Sequence, residues 1–100
     1  MTYPTGILCN RAKEVATLLK LMANEQRLIL LCRLRDGEAS VGELVGLCNL
    51  SQSSVSQHLA RLRDSGLVDT RREQTTIYYS IASEDVRHLL NYLCDRFWEK

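Results

Sequence analysis

Three sets of side chains in this sequence are of types and spacings that could do chemistry. Gln52, Ser53, Ser54, Ser56 and Gln57 fall within six consecutive positions and carry only donors and acceptors, with Arg61 shortly after and the pair Arg71-Arg72 ten residues on. Amides of this kind can read an adenine edge with two hydrogen bonds, while hydroxyls and arginines hold phosphate. The second set is the four cysteines, Cys9, Cys32, Cys48 and Cys94. Their spacing matches no zinc finger, and in a reducing compartment they would be structural, ligating or redox-active thiols. The third is His58 and His88, neither of which has a cysteine or serine at a spacing known for catalysis. A Gly-rich phosphate loop is also absent, so an enzyme is not expected.

The elements that must position these residues are legible in the hydrophobic pattern. Val15, Leu18, Leu19 and Met22 make one stripe of a first helix over 11–22. Asn24 caps a second over 25–35, which Asp36-Gly37 ends and whose Leu28, Ile29, Leu30, Leu31, Cys32 and Leu34 mark it as central. Ser40 and Glu43 form a capping box for a third helix over 41–47, with Cys48 expected in the core one turn after Leu44. Ser51 caps a fourth, with Val55, Leu59 and Leu62 inward and Ser53, Gln57 and Ala60 outward. His58 flanks the inward stripe, where a packed or capping role is expected. After Gly66 the period changes from 3.6 to 2, and 67–72 and 76–81 read as strands of a hairpin. Ser83 caps a last helix striped by Val86, Leu89, Leu90, Leu93 and Phe97.

The result is a mainly α chain with one β-hairpin in the order α-α-α-α-β-β-α, a winged helix-turn-helix. Its second motif helix would enter the major groove with Gln52, Ser53, Ser54, Ser56 and Gln57 at base edges, flanked by Arg61. Arg71 and Arg72 would hold phosphates at the wing. A Ser/Gln-rich helix face can also be merely solvated, and the hairpin that follows favours the groove. The first and last helices carry more apolar surface than so small a core needs. Val15, Leu18, Leu19 and Met22 with Leu89, Leu90, Leu93 and Phe97 are therefore expected to form a two-fold dimer seam, which requires an inverted-repeat duplex.

Composition bounds the rest. One hundred residues with one proline make a single domain over 1–100, with 1–10 expected as a mobile arm. Neither a secretory signal nor an apolar run long enough for a bilayer is present, which leads us to expect a cytoplasmic protein without a membrane partner. The net charge of +1 is modest for a DNA binder, so placement must carry that reading. The competing class is a protein-protein module on the same fold.

The stretches LLKLMANEQRL at 18–28, SVGEL at 40–44, LSQSSVSQHLARLR at 50–63 and IYYSI at 77–81 together resemble the arsenic-resistance-repressor (ArsR) family. The resemblance covers 15–93 and implies a dimeric repressor released from its operator by metal ions, metalloids or thiol chemistry. The paired thiolates of its arsenic and cadmium branch would fall on Ser40 and Gly42. In the zinc branch's ligand set, Asp85 would be followed by Arg87, then Trp98, then a position past Lys100. No bound metal or other cofactor is therefore expected, although His88 stands near. The remaining likeness is to the sulfide, persulfide and redox-sensing branch, of the biofilm growth-associated repressor and haemolysin-activator types. It implies Cys32 as principal sensor of a small reactive sulfur species or oxidant. The branch's second thiol position falls on Trp98, with Cys94 four residues earlier as resolving partner and Cys9 as a third candidate. A three-thiolate As(III) or Sb(III) site of Cys9, Cys32 and Cys94 is the alternative, and a packing role for Cys32 is the plain one.

Overall fold

The computed structural model describes residues 2–98. Its elements are α1 (Thr5–Met22), α2 (Glu25–Arg35), β1 (Ala39–Ser40), α3 (Val41–Leu44), a 3-10 turn (Leu47–Asn49), α4 (Gln52–Asp64), β2 (Val68–Glu73), β3 (Thr76–Ile81) and α5 (Glu84–Phe97). This is the winged helix-turn-helix: α3 and α4 are the motif, and β2 and β3 the wing.

Side chains start the helices as the sequence pattern implies. Asn24 accepts from the Arg27 amide at 3.1 Å, Ser51 from Ser54 at 3.2 Å and Ser83 from Val86 at 3.2 Å. Ser40 and Glu43 cap each other reciprocally. Each bond satisfies an amide that has no partner inside its own helix. Gly66 sits at φ 81°, the left-handed conformation that ends α4 and turns the chain into β2.

Leu30, Leu31 and Leu34 of α2 are fully buried with Leu44, Val55, Leu59, Leu62, Val68, Val86 and Leu90, so α2 is the axle of the core. Packing between α2 and α5 fixes the last helix on one side of it, and packing between α2 and α4 fixes the motif on another.

Four features depart from the sequence reading. First, α1 begins at Thr5 rather than Arg11. Pro4 stands just ahead of its first turn and nothing between Thr5 and Arg11 interrupts a helix, yet every residue from Thr5 to Thr17 is exposed. Second, α3 stops at Leu44, and the chain passes through Gly46 (φ 94°), Cys48 (φ 47°) and Asn49 (φ 66°) before α4. Left-handed backbone at Cys48 turns it away from the interior, so it is exposed rather than part of the core. Third, a short β1 pairs with β3 (Ala39 with Tyr79, Ser40 with Tyr78), making a three-stranded antiparallel sheet in the order β1-β3-β2. Two residues are too few for a period to register. Fourth, β2 runs one residue later than expected, Val68 facing Ile81 and Glu73 facing Thr76, which leaves a two-residue tip with Gln74 at φ 58°.

Candidate nucleic-acid interface and thiol pair

The outer face of α4 is open. Gln52, Ser53, Ser56, Gln57, Arg61 and Arg63 are exposed and Ser54 is half-buried, while Val55, Leu59 and Leu62 anchor the opposite side. The Ser51 hydroxyl is engaged by the Ser54 amide and lies 3.4 Å from that of Ser53. The helix end therefore presents fixed hydroxyls and free amides to whatever approaches it.

At the wing the two arginines part company. Arg71 is held by Glu38, with Nε donating to Oε2 at 2.9 Å and Nη2 to Oε1 at 2.5 Å, and by Glu73 at 2.9 Å. Its guanidinium also lies 4.6 Å from the centre of the Tyr78 ring. Hydrogen bonds from Arg71 hold the Glu38 carboxyl below the usual carboxylate range, and the same partners raise Arg71 further. Arg71 thus ties the wing to the segment before β1 instead of standing free for phosphate. Among the described residues, no carboxylate pairs with Arg72 or Arg63, and both line a groove of about 270 Å³ with Thr70, Arg71 and Ile77. Arg63 was not singled out by the sequence reading, because its place beside the wing depends on how the sheet folds against α4.

His58 occupies the flank of α4, as its position beside the inward stripe implies. Its Nε2 meets Gln26 Oε1 at 3.0 Å and its Nδ1 meets an Arg27 Nη at 3.4 Å.

The thiols sort themselves by the packing of α2 on α5. Cys32 on α2 is half-buried and Cys94 on α5 is buried where the two helices pack, and the two thiols lie close enough to influence each other's ionisation. Burial first, and the neighbouring Cys94 thiol second, push Cys32 up to about 12, against a smaller opposing pull from Arg35. Arg35 crosses the same contact to Asp95 at 3.2 Å and also binds Asp36 at 3.2 Å, so a cation stands beside the thiols under two carboxylates. The four-residue offset of Cys94 from the position on Trp98 does not separate it from Cys32. It is Trp98 that faces solvent. Cys9 is exposed on α1, and among the described residues no three His, Cys, Asp or Glu side chains are placed to share a metal ion. The Cys9, Cys32 and Cys94 trio is not assembled in the chain.

The apolar surface of α1 and α5 is partly spent inside the protomer. Met22 and Leu90 are core residues, so they leave the expected seam, while Leu18 is partly packed against the core. Val15, Leu19, Leu89 and Phe97 remain exposed, joined by Tyr92, which is 67% exposed and was missed as an isolated aromatic. Leu19, Leu28, Leu89, Tyr92 and Leu93 line an apolar groove of about 300 Å³ between the two helices. Asp85 and His88 lie along its edge in a shallow cavity with Val15 and Leu18.

Comparison with known proteins agrees with this architecture. Residues 24–70 match the family described as bacterial regulatory protein, arsR family. The chain is 54% identical over 84 residues to the transcriptional activator HlyU of Vibrio cholerae, covering 84% of this chain and 77% of that protein. It is 44% identical over 90 residues to the biofilm growth-associated repressor of Agrobacterium fabrum, covering 90% and 77%. The structure of reduced HlyU superimposes with a TM-score of 0.86 at 47% identity, over 96% of this chain and all of that one. The homodimeric winged helix-turn-helix DNA-binding domain of Mb0332 from Mycobacterium bovis does so with 0.75 at 33% identity, over 93% and 86%. With its motif, wing and both terminal helices in place, the chain belongs to the ArsR family of bacterial DNA-binding transcriptional regulators.

Proposed function

We propose that this regulator is a dimeric repressor that releases its operator when Cys32 and Cys94 become bonded to each other. The observation that carries the reading is the placing of one half-buried and one buried thiol, Cys32 and Cys94, on the two helices that pack as α2 and α5. One of the two sulfurs takes up the oxidant and the other resolves it, and the burial that raises Cys32 slows whichever step needs its thiolate. With a low-molecular-weight persulfide as oxidant, the first sulfur takes its outer sulfur and a thiol leaves. The second sulfur then attacks that protein persulfide at the protein-bound atom, forming the disulfide and expelling hydrogen sulfide. Two protein thiols are oxidised and the transferred sulfur is reduced. Cys94 is only 6% exposed, which restricts the reaction to small reagents.

On the DNA side, Gln52, Ser53, Ser54, Ser56 and Gln57 meet bases, while Arg61, Arg63 and Arg72 meet phosphates. Dimerisation through the exposed parts of α1 and α5 supplies the second recognition helix. It is supported by the homodimeric relative and by a helix that is exposed along most of its length yet has little packing of its own to hold it.

The test uses wild type, Cys32→Ser and Cys94→Ser on a duplex from the chain's own upstream region, treated anaerobically with glutathione persulfide. Wild type should lose affinity as a mass about 2 Da lower accumulates with a Cys32–Cys94 cross-link, and neither variant should do both. Release of both variants at the wild-type dose would refute the thiol reading.

A further inference from the structure

Three helices converge on one arginine. Arg27, near the start of α2, sends Nε to the Leu21 carbonyl at 2.5 Å and Nη2 to the Lys20 carbonyl at 3.3 Å. Both acceptors belong to the last turn of α1, whose carbonyls lack partners inside the helix, and a cation there also suits the helix dipole. The remaining Nη1 meets Nδ1 of His58 on α4 at 3.4 Å, and the Gln26 amide oxygen closes the other side of the ring at 3.0 Å.

Arginine can only donate, so Nδ1 must be the unprotonated nitrogen and Nε2 must carry the hydrogen that Gln26 accepts. A neutral imidazole satisfies all of these bonds. A protonated one puts an N–H against an N–H of Arg27 and loses that bond. The charged groups acting on His58 are Arg27 from α2 and Arg61 from its own helix, both cationic, and among the described residues no carboxylate from any element lies within ion-pair distance. Burial first, then these two arginines, hold His58 below its ordinary value.

We propose that Arg27 and His58 are positioning residues for DNA recognition, forming a joint that sets the recognition helix against the end of α1 and holds only while His58 is neutral. The inference rests on the reading of α4 as the DNA-contacting helix. Acidification would then loosen α4 without touching any side chain that meets DNA.

The test uses reduced full-length protein and a duplex enriched by rounds of selection on the wild type. Wild-type affinity should fall between pH 7.5 and 5.0, steepening to at most about tenfold per pH unit once the pH is below the titration point of His58 in the free protein. His58→Asn, which keeps an acceptor near the Nδ1 position but cannot titrate, should bind within about twofold of wild type at pH 7.5 and show a flat profile. Arg27→Lys, which keeps the charge without the fork, should lose about tenfold at pH 7.5. His88→Ala should keep the wild-type slope. In the free protein, NMR titration of the His58 ring should give a value below 6.5 that rises in Arg27→Gln. A wild-type profile as flat as that of His58→Asn, the wild-type slope surviving in His58→Asn, or His58 titrating at 6.5 or above would each overturn the proposal. If no duplex is enriched, the DNA reading fails instead, and the free-protein titration still decides whether the joint exists.

Discussion

The raised Cys32 thiol should betray itself in its alkylation rate. At about 12 against an ordinary 9.0, the thiolate population near pH 8 is roughly a thousandfold below that of a free cysteine. Each thiolate that does form is more nucleophilic, by about 15- to 30-fold for a Brønsted slope near 0.4–0.5, so the net slowing is roughly 30- to 60-fold. Iodoacetamide labelling read by peptide mass spectrometry separates the four cysteines, and the same peptides from denatured protein supply the reference.

The pH profile is the sharper half of the test. The Cys32 rate should still climb about tenfold per pH unit through pH 9.5, where an ordinary thiol has levelled off. Replacing Cys94 with Ala removes the neighbouring thiol but leaves desolvation, the larger cause, so the rate should rise without reaching the denatured reference. The sign for stability follows. Above about pH 9 the unfolded chain ionises at this position while the folded chain does not, so Cys32 should make the fold less stable as pH rises further. A Cys32 rate within about threefold of the denatured peptide, or a plateau near pH 9, would refute the raised value of the Cys32 thiol.

Freeing Arg71 by Glu38→Gln should raise affinity for any duplex and steepen the salt dependence by about one phosphate's worth, measured by anisotropy across a salt series. Arg72→Ala should flatten the same slope by about one, whereas Gln57→Ala should leave it unchanged and broaden the bound sequences in a selection experiment. Leu90→Ala should cost about 2–5 kcal/mol in chemical unfolding, because a fully buried side chain is removed from the core. Tyr92→Glu should leave the fold intact and shift sedimentation toward the monomer, because this ring is exposed in the protomer.

How much of this was legible beforehand depended on whether a feature is local. Asn24, Ser40, Ser51 and Ser83 all cap as their places before apolar periods imply, and Gly66 ends α4 because its left-handed backbone suits a residue without a side-chain carbon. The inward stripe of α4 needed only the 3.6-residue period. What failed was long-range or ambiguous by composition. Met22 and Leu90 look like their neighbours Leu19 and Leu89, and only the packing of α5 on α2 decides which of them turn inward. Arg71 and Arg72 are adjacent and alike, but on a strand they point to opposite faces, and only one of them meets Glu38, thirty-three residues earlier. Cys48 misled because a helix continued through it would have buried it, and three positive φ angles between Gly46 and Asn49 do not show in a hydrophobic pattern.

The thiol pair and the Arg27 joint lie toward opposite ends of one helix. Gln26 and Arg27 open α2 and Arg35 closes it, and Cys32 lies six residues beyond Gln26, about 9 Å along the helix at 1.5 Å per residue. Between them Leu30 and Leu31 are fully buried, so this segment has no freedom to bend toward solvent, and a force applied at Cys32 moves the helix as a body. A disulfide draws its two sulfurs to about 2 Å and fixes their α-carbons within about 7 Å, and under the proposed release α2 or α5 shifts as it forms. The shift reaches α4 through Gln26 and Arg27, whose hold on His58 is a pair of side-chain bonds rather than an apolar seam. Hydrogen bonds weaken steeply once distance or angle is lost, so the joint is the part of this route least able to absorb movement. Oxidation and acidification, chemically unrelated, would therefore be expected to act on the orientation of the same recognition helix.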